Sequence, residues 1–172
     1  SSDFRLRDPA VYEATYGAPH PNPGALADAV YGLPELNRDA LREAKLISGV
    51  GCNATAMTLA LKPLADAGLI VRAICDVKAG SSQGGAEATP GSNHSVRSGA
   101  VRTYSVSGHR HLAEVAQSLG DFDLDATVSA VDMVRGVLCT AHVDVRDLMT
   151  MRDLWKLYRG AYAGEPFVRL VA

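Results

Sequence analysis

The stretch Lys45-Leu-Ile-Ser-Gly-Val-Gly-Cys-Asn-Ala-Thr-Ala-Met-Thr-Leu-Ala-Leu-Lys-Pro-Leu64 constrains this chain most. Its first four residues read as the end of a buried strand, Gly49 and Gly51 allow a sharp turn, and from Asn53 the apolar residues Met57, Leu59, Ala60, Leu61 and Leu64 recur at helical spacing. Cys52 therefore stands between a turn and a helix N-terminus, where unpaired N–H groups and the macrodipole favour thiolate over thiol. That placement makes Cys52 the candidate nucleophile. The plain alternative is a small buried residue at a tight turn, since free cysteine is among the most buried residue types.

A second reading of the same turn competes. Gly49-Val-Gly51-Cys-Asn-Ala54 satisfies G-x-G-x-x-A between a strand and a helix, and the apolar run 69–75 ends in Asp76, where a ribose-binding acid falls in a dinucleotide fold. A lone fingerprint of this kind is weak. The rest of the chain must decide whether the glycines cradle a pyrophosphate or aim a thiol.

With 172 residues, 47% of them apolar and 21% charged, the chain has the composition of one globular domain with a hydrophobic core. Its net charge is −2, with 17 basic residues scattered among 19 acidic ones, so there is no electrostatic footprint for nucleic acid or a membrane surface. Cys52, Cys75 and Cys139 form no C-x-x-C pair, which points to reduced thiols in a cytoplasmic protein; Cys75 and Cys139 fall in apolar, strand-like runs and are expected in the core. The opening residues show no signal-peptide pattern. Lys62, Pro63 and Asp66 interrupt the most apolar stretch too soon for a membrane span.

Taken in order, Asp8-Pro9 starts a helix expected to end at Tyr16 with Gly17 closing it. Residues 18–24 hold three prolines and read as an exposed loop with a solvated His20. A short helix over 25–30, an irregular link over 31–36 and a helix over 38–45 capped by Asn37 follow. After the Cys52 helix, Gly68 supplies a C-cap and 69–77 reads as a strand. Residues 78–99 form a loop of about twenty residues against a usual length of about 4 to 6, in which Ser81, Ser82, Gly84 and Gly85 offer small side chains and open N–H groups suited to a phosphate or a planar cofactor ring. A strand over 100–106 precedes a helix over 108–119 with an apolar face of Leu112, Val115, Ala116 and Leu119. His109 and His111 stand at the start of that helix, where the dipole keeps an imidazole neutral and able to take a proton. No Cys, Asp or Glu at matching spacing completes a zinc site. Strands over 126–134 and 136–145, the latter holding a structural His142, lead to a helix capped by Thr150 over 151–162 with Leu154, Trp155 and Tyr158 inward. A strand over 167–171 closes the chain. One strand-helix-strand unit followed by several strands predicts an α+β domain with a mixed, largely antiparallel sheet and helices on one face.

Ser2-Asp-Phe-Arg-Leu-Arg-Asp8, Tyr31-Gly-Leu-Pro-Glu-Leu36, Gly51-Cys-Asn-Ala-Thr55, Gly108-His-Arg-His111 and Arg135-Gly-Val-Leu138 occur in the order and spacing of one known family. In these motifs the chain resembles the catalytic domain of the N-acetyl-gamma-glutamyl-phosphate reductases. The common family pattern has Pro-Gly-Cys followed by an aromatic residue, whereas Val50 and Asn53 stand at those places here. Gly51-Cys-Asn-Ala-Thr-Ala56 and Tyr162-Ala-Gly-Glu-Pro-Phe-Val-Arg-Leu-Val171 are more similar to the branch that reduces aminoadipyl or glutamyl phosphate attached to a small acidic amino-group carrier protein, in lysine or arginine biosynthesis.

The resemblance implies a glyceraldehyde-3-phosphate-dehydrogenase-like catalytic and dimerisation domain over residues 1–172, acting with an NADP-binding Rossmann domain expected before Ser1 and a return segment expected after Ala172. On its own such a domain is expected to reduce nothing. The resemblance also implies attack by Cys52 on an acyl phosphate to form a thioester, hydride from NADPH, and His109 or His111 as acid and base, with His111 slightly favoured as closer to the helix start. Asn53, Arg102, Arg110 and Arg135 are candidates to hold phosphate or substrate carboxylate, because an arginine fork bonds two oxygens at once. Ser82, Gly84 and Gly85 are candidates to meet the nicotinamide end of the cofactor. No metal is implied; the partners implied are the carrier protein and further copies of the chain. A dinucleotide-binding module at Gly49 and Gly51, and a non-catalytic dimerisation or carrier-docking domain, remain the alternatives.

Overall fold

A computed structural model describes residues 2–85 and 88–171; Ala86 and Glu87 of the long loop lie outside the described residues. Helix α1, Pro9–Tyr16, has the termini its sequence predicts. Asp8 Oδ1 accepts from the Ala10 N–H, and Gly17 turns out of the helix at φ 76°. The expected helix over 25–30 is replaced by one 3-10 turn, Pro23–Leu26, and strand β1, Ala29–Tyr31. That strand pairs in parallel with β2, Leu46–Ser48. Residues 29–31 supply the ladder that β2 would otherwise lack, and this outweighs a weak local helical preference. Helix α2, Pro34–Glu43, begins three residues before Asn37, which is not its cap. Asn37 sits in a kink at φ −128° and its Nδ2 donates to the Tyr31 carbonyl.

Helix α3, Cys52–Asp66, contains Pro63. Proline has no N–H to return to the carbonyl four residues back, so the Leu59 carbonyl loses its helical donor. The Tyr162 hydroxyl donates to it at 2.6 Å, and the Tyr158 hydroxyl donates to the neighbouring Ala60 carbonyl at 2.5 Å. Both tyrosines belong to α6, Met151–Tyr162, which opens with a capping box between Thr150 and Asp153. Within α6, Leu154, Leu157 and Tyr158 reach the core, while Trp155, expected inward, lies half-buried beneath the Arg159 guanidinium.

The main sheet has the order β4-β5-β3-β6, with β3 Ile70–Ala79, β4 Arg102–Ser105, β5 Asp123–Ala130 and β6 Val137–Val145. β3 runs parallel to β5; β3 with β6 and β4 with β5 are antiparallel. The sheet is therefore mixed and mostly antiparallel, as expected. Its inner face packs Ala73, Cys75, Val77 and Val128 against Met57 and Leu61 of α3 and Val115 of α5, Leu112–Leu119. Its outer face carries no helix of the described residues and leaves Ile74 and Leu138 exposed, with His142 solvent-facing rather than structural. The long loop is partly ordered into a 3-10 turn, Ser81–Gln83, and a short helix α4, His94–Arg97. Residues 167–171 form no strand. His20 is buried rather than solvated: Nε2 donates to the Asp3 carbonyl, Nδ1 accepts from the Asn22 N–H, and the ring lies edge-on to Phe4 and Tyr12. No described helix is long and apolar enough to cross a membrane.

Candidate active site

The parallel pair β3 and β5 ends side by side at Ala79 and Ala130. The carboxyl ends of parallel strands commonly open onto a ligand crevice, and here they floor a cleft of about 640 Å³. The N-terminus of α3 brings Cys52 and Asn53 to one wall, and the approach to α5 brings His109, Arg110 and His111 to another. Arg102 from β4 and Gly84 and Gly85 from the long loop complete the set of predicted residues that meet here. Ser82 and Arg135 do not line the cleft. The Ser82 N–H donates to the Val134 carbonyl, which turns that part of the loop toward the β5–β6 connection, and Arg135 is exposed on that connection.

Cys52 is exposed and is the first residue of α3, with no side chain capping the helix. The first N–H groups of an uncapped helix have no partner of their own and point past Cys52. The thiol donates to Asn53 Oδ1 at 3.7 Å. Behind Cys52 lies a buried network that the sequence motifs did not reveal. Glu114, 0% exposed, accepts from the Tyr31 hydroxyl at 2.7 Å and from the Gly51 N–H at 2.9 Å, and Arg5 Nη1 reaches its other oxygen at 3.4 Å. Arg5 Nε also donates to the Gly49 carbonyl at 2.7 Å. The turn ahead of Cys52 is thus held on both sides, by a carboxylate and a guanidinium that neutralise each other. Gly51 is required by space: a Cβ there would lie 2.5 Å from Glu114 Oε1 and 2.9 Å from His111 Nε2.

The two histidines are not equivalent. His111 is 4% exposed, and its Nε2 accepts from Arg5 Nη1 at 3.4 Å, which places the ring proton on Nδ1. That Nδ1 has no hydrogen-bond partner among the described residues. Burial first, then the neighbouring His109, Arg5 and Arg110, push the His111 pKa down to about 3. His109 accepts the His111 backbone N–H at its Nδ1, which leaves its proton on Nε2, and its pKa is lowered more mildly by burial and Arg110. The rings meet edge to face at 4.7 Å. Both imidazoles are neutral at neutral pH, as their placement before α5 predicts, but desolvation and arginines are the causes. Among the described residues no group of three or more His, Cys, Asp or Glu is arranged to hold a metal.

Known proteins share this sequence and fold. Residues 52–172 match the family described as "Semialdehyde dehydrogenase, dimerisation domain". The chain belongs to the semialdehyde dehydrogenase family. A relative from Thermomicrobium roseum, named a putative LysW-L-2-aminoadipate 6-phosphate reductase, is 50% identical over 99% of this chain and 51% of its own length. The LysW-L-2-aminoadipate 6-phosphate reductase of Deinococcus radiodurans is 46% identical over 99% of this chain and 50% of its own. The Sulfurisphaera tokodaii protein, named for both LysW-L-2-aminoadipate and LysW-L-glutamate phosphate, is 44% identical over 99% and 51%. The chain spans about half the length of these relatives. Among solved semialdehyde dehydrogenases, aspartate semialdehyde dehydrogenase II from Vibrio cholerae shares the fold at a TM-score of 0.58 and 16% identity, over 76% of this chain and 48% of that one. The Francisella tularensis aspartate semialdehyde dehydrogenase does so at 0.55 and 13%, over 78% and 52%. The family and the carrier-linked branch are those the sequence motifs resemble.

The residues of the buried network carried faint signals. Glu114 stands three positions after His111, next to the core residue Val115 on a short amphipathic helix, where a carboxylate needs buried partners. Arg5 and Tyr31 lie inside the two N-terminal motifs that carry the resemblance.

Proposed function

We propose that this domain supplies the nucleophile and acid–base groups for NADPH-dependent reduction of an acyl phosphate to a semialdehyde, the acyl group being aminoadipyl or glutamyl borne on a small acidic amino-group carrier protein. The observation that supports it is the placement of an exposed Cys52, at an uncapped helix N-terminus, in one cleft with two neutral histidines and arginines. Cys52 Sγ attacks the acyl carbon, the carbon–oxygen bond to phosphate breaks, and a thioester remains on Cys52. The N–H groups at the start of α3 face the oxygen that gains charge in that step. NADPH, when bound, supplies the hydride that takes the thioester to a thiohemiacetal; Gly85 lines the cleft with open space where a side chain would stand, which suits a flat ring, whereas the space beside Gly84 is filled by Ser92. His109, the more open imidazole, moves the proton at the thiohemiacetal oxygen as the carbon–sulfur bond breaks and the aldehyde leaves. His111 keeps its proton on Nδ1 and serves as a donor. This reverses the slight preference for His111 as acid and base.

Two features speak against a dinucleotide at Gly49 and Gly51. The Gly51 N–H is already spent on Glu114 and is not free to hold a pyrophosphate oxygen. β2 pairs only with β1, outside the main sheet. A non-catalytic docking domain leaves the Cys52 cleft without a purpose. The protein is expected to work in the cytoplasm as a homo-oligomer, in keeping with its family's dimerisation domain.

Alkylation of Cys52 by iodoacetamide, followed against pH in the wild-type chain and in His109→Asn and His111→Asn, tests this function. Rapid alkylation near neutral pH is expected, confined to Cys52 among the three cysteines, with a profile altered in at least one histidine variant. A Cys52 that reacts no faster than a free peptide thiol, indifferent to both histidines, would refute it.

A further inference from the structure

The long loop ends in α4, whose Arg97 is 8% exposed yet lines the cleft. Its Nη2 donates to the carbonyls of Ala79 and Val131, the last at 3.2 Å, where β3 and β5 end. Arginine carries five N–H groups in a rigid plane. Two are used here; Nε has no partner, and Nη1 makes no hydrogen bond among the described residues. No carboxylate of those residues forms an ion pair with Arg97; the nearby Asp132 instead accepts the Gly99 N–H at 2.8 Å. Arg5 differs in this respect, because Glu114 neutralises it. A buried cation without a counter-charge is costly, and that cost falls when an anion joins it. Arg102 lies on the same cleft, in space that Gly91 leaves open: a Cβ on Gly91 would come within 3.0 Å of Arg102 Nη2. The described cleft lining includes no Asp or Glu.

We propose that Arg97, clamped by two strand-end carbonyls, is the fixed anion anchor of the cleft and receives an oxyanion of the substrate, with Arg102 as the second, movable arm. The proposal rests on the acyl-phosphate reading above and extends it: the cleft takes a substrate with an anionic group held over the ends of β3 and β5. A phosphoryl group and a carboxylate share this chemistry. The two carbonyls set the plane of the guanidinium before any ligand arrives, so little side-chain freedom is lost on binding.

Calorimetric titration of the 172-residue chain with inorganic phosphate and, separately, glutarate tests this. At least one anion is expected to bind the wild-type chain, and Arg97→Lys, which keeps the charge but not the fork, is expected to weaken binding by about tenfold or more, the scale of a charged hydrogen bond. Arg102→Gln is expected to weaken the same anion less. Preference for phosphate assigns the site to the phosphoryl group, and preference for glutarate assigns it to a carboxylate. Amide NMR shifts in the wild-type chain provide a check that needs no variant, since a bound anion should perturb Gly80, Arg97 and Gly99. No binding of either anion, unchanged affinity in a folded Arg97→Lys, or shifts that map elsewhere would each overturn the proposal. If the shifts map to Arg97 while Cys52 proves unreactive, the anion anchor stands and the reductase reading falls. With a reactive Cys52 and no anion at Arg97, the anchor falls and the reductase reading stands.

Discussion

Replacing Glu114 separates its packing from its charge. In Glu114→Ala the Tyr31 hydroxyl and the Gly51 N–H both lose a buried acceptor, and Arg5 loses its only ion-pair partner among the described residues. Leaving one buried donor unpaired costs about 1–3 kcal/mol, and removing one member of a buried ion pair costs about 3–5 kcal/mol. These losses overlap, because one small cavity admits water to several donors at once, so a total of about 3–5 kcal/mol is expected. That is a large share of the roughly 5–15 kcal/mol that holds a domain together. Glu114→Gln is a milder change. With its amide oxygen in the place of Oε2 it keeps both neutral hydrogen bonds, and its NH₂ group faces Arg5 and the acceptor Nε2 of His111. The charged contact with Arg5 is lost and a donor faces a donor there, but both neutral hydrogen bonds remain, so a cost of about 1.5–3 kcal/mol, below that of the alanine variant, follows. Urea unfolding followed by circular dichroism at pH 7 reads both values. Equal losses in the alanine and glutamine variants, or a loss below about 1 kcal/mol in Glu114→Ala, would refute the claim that this carboxylate organises the turn before Cys52.

Two further outcomes are expected. The folded site refuses a proton at His111, whose pKa lies at about 3, that the unfolded chain accepts below its ordinary value of 6.5. Stability should therefore be lost as pH falls from 6.5 toward 3, by up to about 1.4 kcal/mol per pH unit for this residue, and His109 adds to it in the same direction. Urea midpoints measured from pH 7 to pH 4 should fall less steeply in His111→Asn than in the wild type; parallel slopes would count against a buried neutral His111 beside Arg5, Arg110 and Glu114. Tyr162→Phe deprives the Leu59 carbonyl, already without a helical donor because of Pro63, of the hydroxyl that replaces it. A loss of about 1–2 kcal/mol is expected by thermal or urea unfolding, and Pro63→Ala in the same background should recover part of it.

Short-range chemistry was legible along the chain. Asp8, Pro9 and Gly17 mark both ends of α1, and Thr150 marks the start of α6, because caps are made by residues within a few positions of one another. The place of Cys52 at the start of α3 was legible for the same reason. Pairings that span the chain were not: β1 exists because residues 29–31 find residues 46–48, and nothing local in 25–30 announces that. Residues 167–171 have the composition of a strand and no described partner to make them one.

The sequence by itself determined an α+β domain with a mixed sheet, the cysteine at a helix N-terminus, and the two histidines before a second helix, since periodicity, capping and motif order are written along the chain. Only the tertiary structure decided what surrounds them. It brought Arg5, Tyr31 and Glu114, separated by up to 109 positions, into one buried network, and it set Arg97 at the ends of two strands with no ion-pair partner among the described residues. Burial and charge pairing depend on residues distant in sequence, and they set which imidazole is locked, which is open, and which arginine has a carboxylate beside it.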